Sequence, residues 1–197
     1  MIIPSFPSLA VELPPWIGEV CQPGIVYPTV DSRMDLAIAL ARANITHRTG
    51  GPFGAAVFDN ESGEIIAPGV NLVVSTRAAV AHAEMVAIAL ASRALESFDL
   101  GIKPTVLVAS TEPCAMCLGA VPWSGVAGLV CGATDQDARR IGFDEGDKPE
   151  DWTALLQRRG IEVTLGVGRA RAAAVLEDYA RSGGLIYNGR RSESPGR

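Results

Sequence analysis

The chain has 197 residues, of which 48% are hydrophobic and 20% charged, a length and balance that suit one globular domain with its own core. Its formal net charge is −5, which argues against a broad phosphate-binding surface, because such a surface needs an excess of Lys and Arg. Four cysteines, Cys21, Cys114, Cys117 and Cys131, are too few for a disulfide framework at this size.

Residues 1–30 are Pro-rich, without steady periodicity, and read as an extended arm on the domain surface. Pro4, Pro7, Pro14 and Pro15 interrupt the start, which has no positive n-region and does not read as a secretory signal. Asp31 or Ser32 is placed to cap a helix running to about Arg48, with Met34, Ala37, Ile38, Ala41 and Ile45 on one face. Gly50-Gly51-Pro52 ends it. Phe53 to Phe58 predicts a strand, Asp59 to Gly63 a turn, and Glu64 to Val74 a second strand broken by Pro68-Gly69. Ala81 to Glu96 predicts a helix with His82 in its first turn. Then follow a strand at Thr105–Ala109, a short helix at Cys114–Trp123, a strand at Val126–Gly132 and a helical turn at Asp135–Ile141. Gly142 to Gly146 reads as a loop. Helices at Trp152–Arg159 and Arg169–Ser182 flank a strand at Ile161–Gly166. Residues 189–197 read as a disordered tail. Strands alternating with helices predict an α/β domain over 31–188, one sheet covered on both faces. Val80 to Ala91 is apolar but too short to cross a bilayer, and it carries His82 and Glu84. No membrane association is expected.

The chemistry is concentrated in His82-Ala83-Glu84 and Pro113-Cys114-Ala115-Met116-Cys117. One imidazole and two thiols have the types and spacing of a three-ligand zinc site, which leaves a fourth position for water. Cys-x-x-Cys lets one helical turn offer both sulfurs to a single ion. Both ligand sets fall where helices begin, and free N–H groups there favour thiolates. Glu84 is placed to take a proton from the zinc-activated water and deliver it to a ring nitrogen and a leaving amine. The pattern H-x-E…P-C-x-x-C is that of zinc deaminases acting on nucleobases. Alternatives stand beside this reading. A redox Cys pair leaves His82 and Glu84 without a purpose. A structural zinc knuckle needs a fourth ligand from His47, Cys21 or Cys131, and has no use for Glu84. Thiolate ligands require a reducing compartment, so the chain is expected to be cytoplasmic. The scarcity of lysine, with Lys103 and Lys148 alone, reads as composition bias without a mechanistic role.

These residues resemble the cytidine deaminase superfamily, and most of all its bacterial guanine deaminases. The resemblance runs from about Asp31 to Tyr187. It rests on Gly50-Gly51-Pro52-Phe53-Gly54-Ala55, Asn71, His82-Ala83-Glu84, Thr111 to Ala120, Trp123 and Gly142-Phe143-Asp144-Glu145. It implies a three-layer α/β/α fold with a mixed five-stranded sheet, and a homodimer with or without exchange of the C-terminal segment between subunits. It implies that His82, Cys114 and Cys117 bind Zn2+ and that Glu84 shuttles protons. Asn71 and Ala83 would bind the base, Phe53 and Trp123 would form aromatic walls, and Asp144 with Glu145 would meet the purine edge, Glu145 also carrying protons. Tyr187 is a candidate for the lid.

A flat heterocycle stacks on aromatic faces, and guanine offers N–H donors that a carboxylate accepts. Taken alone, Phe53 and Trp123 could equally be core, Asn71 a turn residue, and Asp144-Glu145 a solvated loop. The leading expectation is hydrolysis of guanine to xanthine and ammonia, with zinc hydroxide attacking C2 and side activity on aminotriazines or cytosine. A nucleoside deaminase, for guanosine or cytidine, is the second reading. Editing of tRNA adenosine is a third, disfavoured by the acidic balance.

Overall fold

The computed structural model describes residues 9–189; the expected tail lies almost wholly outside them. In chain order the elements are α1 (Ile17–Val20), α2 (Val30–Thr46), β1 (Gly54–Asp59), β2 (Ile65–Val70), α3 (Val73–Thr76), α4 (Ala83–Ala94), β3 (Thr105–Thr111), α5 (Ala115–Ser124), β4 (Gly128–Ala133), α6 (Asp135–Arg140), α7 (Trp152–Gln157), β5 (Glu162–Thr164) and α8 (Arg169–Arg181). The strands form one sheet in the order β2-β1-β3-β4-β5. β1 runs antiparallel to β2 and β3, whereas β3, β4 and β5 are parallel.

Strand alternation divides the core into two layers. From β1, Ala56 and Phe58 join Met34, Leu40 and Leu176 or their neighbours beneath α2 and α8. Ala55 and Val57 point the other way, into the layer of α4, α5 and α7 with Val121, Trp152 and Leu156. The central strands β3 and β4 are buried along their whole length, as a parallel pair covered on both faces must be.

Several local outcomes differ from the expectations. Thr29, and not Asp31 or Ser32, caps α2: its hydroxyl accepts from Ser32 N–H and Ser32 Oγ accepts from Thr29 N–H, both at 3.1 Å. This reciprocal box satisfies two N–H groups that a helix start leaves open. Pro68-Gly69 does not break β2, because β2 is an edge strand and a residue without an N–H is tolerated there. Gly69 is also required: a Cβ would lie 2.2 Å from Ala83 O, so its absence lets β2 approach the start of α4. The second strand ends at Val70, and Val73–Thr76 turns into helix. Of the arm expected over 1–30, residues 9–30 are described, and they are anchored to the domain at several points. Trp16, Ile17 and Cys21 are buried in the α2 layer, and Val26 bridges to Glu64.

Candidate active site

The two ligand sets stand at the starts of neighbouring helices. His82 is the N-cap of α4 and Cys114 the N-cap of α5, both with extended backbone. Cys117 follows in the first turn of α5. Cys114 Sγ lies 3.5 Å from His82 Nδ1, and the donor atoms of His82, Cys114 and Cys117 all lie within 4.8 Å of one another. Among the described residues no other such group is found. His47, Cys21 and Cys131 do not join it, so no fourth protein ligand among the described residues closes the set.

The donor chemistry fits a divalent cation. Hydrogen bonding from Cys117, together with His82, holds the Cys114 thiol down to about 4 against the opposing effect of burial. The Cys117 thiol is pushed up by its bond to Cys114 and by burial. Glu84, buried beside them at 8% exposure, is raised by burial and by the Cys114 charge. Two sulfurs and a carboxylate packed this closely repel when all are ionised; a cation among them removes that cost. Helix N-termini add fixed positive potential.

The metal corner opens into a cavity of ≈ 570 Å³ whose lining includes Phe53, Asn71, His82, Glu84, Cys114, Asp144, Glu145 and Tyr187. Asn71 is 1% exposed, and its Oδ1 accepts from Val73 N–H at 3.3 Å, so its two amide hydrogens are the groups left for a ligand. Glu145 is buried at 6% exposure. Its main-chain carbonyl accepts from Ala115 N–H at 2.8 Å, which ties the acidic loop to the helix that carries both cysteines. Burial first, then the charges of Cys114 and Glu84, push the Glu145 carboxyl up to about 8, while Lys148 draws it down. Asp144 is exposed, and one carboxylate oxygen accepts from Gly146 N–H at 2.9 Å.

Tyr187 arrives from the C-terminal segment. Its ring packs edge-on to Phe143 at 5.1 Å, and Phe143 meets Phe53 in the same manner at 4.9 Å. The Tyr187 hydroxyl is buried without a partner. Asn188 fixes the segment: its Oδ1 accepts from Asp144 N–H at 2.9 Å and its Nδ2 donates to Gly142 O at 3.0 Å. Tyr187 and Asn188 thus bring the C-terminal segment into the lining of the cavity.

Two expected contacts fall elsewhere. Trp123 is 88% exposed and lines a separate groove of ≈ 530 Å³ with Leu118, Trp152 and Leu155. It stands near the far end of α5, about 13 Å along the axis from Cys114 at helical rise. Ala83 turns its side chain inward, 1% exposed, into the α4 layer; only its main chain is left to face a ligand.

Six lining residues were not among the candidates: Val73, Ala79, Glu112, Phe143, Asn188 and Gly189. Phe143 had a signal, since it sits between Gly142 and Asp144 in the quoted segment. Glu112 had a weaker one beside Pro113-Cys114; its Oε2 accepts from Asp135 N–H at 3.1 Å. Lys148 has a structural role that composition does not show. Its side chain is 7% exposed, with Nζ 2.6 Å from Asp135 Oδ1 and donating to Pro113 O at 2.9 Å. It therefore braces the Pro113-Cys114 turn against α6.

Comparison with known proteins agrees with this geometry. The model of the cytidine and deoxycytidylate deaminase zinc-binding region matches residues 29–133. Guanine deaminase of Bacillus subtilis (strain 168) is 37% identical over 121 residues, covering 58% of this chain and 75% of the relative. The solved guanine deaminase from Nitrosomonas europaea is 45% identical, with a TM-score of 0.84 over 88% of this chain and 97% of that one. A mutant of the protein NE0047, solved in complex with 8-azaguanine, superposes with a TM-score of 0.85 at 45% identity, over 88% of this chain and 98% of that chain. The chain belongs to the cytidine and deoxycytidylate deaminase family of zinc-dependent hydrolytic deaminases.

Proposed function

We propose that this chain hydrolyses guanine to xanthine and ammonia. The observation that carries the reading is the pairing, in one aromatic-sided cavity, of the metal corner with a second buried carboxyl, Glu145. The likeness to guanine deaminases and to a complex with 8-azaguanine supports it.

His82, Cys114 and Cys117 would hold the ion. Zinc bound there supplies Lewis acidity that brings the pKa of a water toward neutrality. Glu84, held in the first turn of α4 beside the ligands, takes one proton from the water and passes it to the ring nitrogen; the second proton, from the hydroxyl added at C2, it carries to the departing amine. Its burial raises its affinity for that proton, which suits a group that must both accept and release it. Glu145 accepts the N1 and 2-amino N–H groups of guanine through its carboxylate oxygens, and burial, which raises its affinity for a proton, suits it to proton exchange with the bound base. Asn71 offers its amide hydrogens to acceptors on the base, and Phe53 provides a face for the ring. Asp144 lies at the exposed part of the lining as a further acceptor. Cytosine and aminotriazines share the amino group and fit as weaker substrates.

The closure of Tyr187 and Asn188 over loop 142–144 favours a free base over a nucleoside. Glu84, Glu112, Asp144 and Glu145 in one lining disfavour a polynucleotide, whose phosphates they repel. Trp123 and the groove beside it fit the homodimer contact that the family resemblance implies. The thiolate ligands suit a reducing, cytoplasmic setting, and no described helix is long and apolar enough to cross a membrane.

An ammonia-release screen over guanine, guanosine, cytosine, cytidine, adenine and aminotriazines tests the reading. Guanine should lead. A nucleoside or cytosine turned over faster than guanine would overturn it.

A further inference from the structure

The Phe53 and Asn71 part of the cavity is held from behind by an amide that the chemistry does not use. Asn44, in α2, is fully buried at 0% exposure. Its Nδ2 donates to Gly51 O at 2.8 Å and to Asn71 O at 2.9 Å. Its Oδ1 accepts from the Thr49 hydroxyl at 2.7 Å, and Thr49 Oγ1 accepts in turn from Trp16 Nε1 at 3.1 Å. Trp16 also stacks on His47, ring centroids 5.2 Å apart. Both amide hydrogens and the amide oxygen are therefore engaged, in a site where an unmade bond is costly.

The two carbonyls that Asn44 joins belong to the two loops bearing Phe53 and Asn71. The loops also meet directly, Asn71 N–H donating to Phe53 O at 3.1 Å. The approach depends on Gly50, where a Cβ would stand 1.8 Å from Asn71 O and 2.8 Å from Asn44 Nδ2. At Gly51 a Cβ would stand 2.1 Å from the Tyr187 hydroxyl, so the same loop seats the C-terminal segment. None of the Asn44 hydrogen bonds reaches His82, Cys114, Cys117 or Glu84.

We propose that Asn44, braced by Thr49 and Trp16, is a positioning residue for base recognition. It sets the spacing between the Phe53 face and the Asn71 amide, and it makes the N-terminal segment part of the functional frame. The proposal rests on the guanine reading for its choice of substrate. Because the brace touches the recognition loops and not the metal corner, its loss weakens substrate capture and leaves the chemical step in place.

Thr49→Val removes the hydroxyl that links Asn44 to Trp16, while Thr49→Ser keeps it. With zinc content and fold unchanged, Thr49→Val should raise KM for guanine about five- to tenfold, the scale of one lost hydrogen bond, with kcat within about twofold. Thr49→Ser should behave as the wild type. Hydrogen exchange at Asn71 N–H should quicken in Thr49→Val alone. Unchanged KM and exchange in Thr49→Val, an equal defect in Thr49→Ser, or a fall in kcat at constant KM would each overturn the proposal. Wild-type turnover of guanine is measured first. Its absence defeats the functional reading, and the Asn71 exchange rates then decide the positioning role by themselves.

Discussion

The metal corner and the recognition wall of the cavity are built by different means. The corner consists of two helix starts, at His82 and Cys114, that follow one another onto the same end of a sheet. Its residues lie within a few positions of each other in two short runs, and its partial charges come from the backbone itself. The recognition wall draws on Phe53 and Asn71 from the β1–β2 end, Glu145 from the loop after α6, and Tyr187 from the C-terminal segment. Side chains remote in sequence hold it together: Asn44 and Asn188. A helix start fixes ligands through local geometry, whereas a wall of loops depends on long-range hydrogen bonds that can be tuned without disturbing the ion. On the proposed function, the corner would set the reaction and the wall the substrate.

Changes at the corner should abolish turnover of every substrate alike, and changes at the wall should alter the ranking. The largest effect is expected from zinc removal by a chelator: activity should fall to background on all substrates, thermal stability should drop, and added zinc should restore both. A protein that stays fully active with no metal by elemental analysis would break the distinction at its root. Next, Glu84→Ala should retain about one zinc per chain and lower kcat by about 10²–10⁴-fold, the usual scale of a general acid–base group. Steady-state kinetics showing near-wild-type turnover would remove Glu84 from proton transfer.

A smaller and selective effect is expected from the wall. Glu145→Gln should lower kcat/KM for guanine by about 10–100-fold, the scale of a hydrogen bond to a charged group, and affect cytosine less. Equal losses on both substrates would place Glu145 with the corner. Lys148 supports the corner, since its ammonium holds Pro113 O and Asp135. Lys148→Met should cost about 1–3 kcal/mol of stability, because Asp135 loses a charged partner, and chemical denaturation measures it. Least of all, if the proposed homodimer meets at the Trp123 groove, Trp123→Glu should shift sedimentation toward the monomer while activity per chain falls less than in any variant above. A dimer that survives this change would move the subunit contact elsewhere.

The same contrast explains what could be read from the residues alone. The metal corner was legible because Cys-x-x-Cys and His-x-Glu are short spacings that a single helical turn converts directly into geometry. The sheet and most helices followed from periodicity, although Thr29 took the cap expected of Asp31 or Ser32, since the box needs a partner three residues on. The wall was legible only through resemblance. An aromatic residue does not announce which side of its helix is covered: the resemblance gives Trp123 a place in the cavity wall, whereas the residue is exposed beside a separate groove. Trp16 stands in a Pro-rich stretch without periodicity, yet its indole is buried and bonded to Thr49, 33 positions away. Lys148 looked like a statistical remnant until the fold brought Pro113 to it across 35 positions. Contacts of that range depend on the closed topology, and no local pattern encodes them.

The central claim is that the wall selects guanine as a free base. Its most direct test is the ratio of kcat/KM for guanine to that for guanosine and for cytosine, measured on zinc-loaded protein by ammonia release. Guanine should exceed both, with xanthine as the product. A ratio below one against either competitor would contradict the claim.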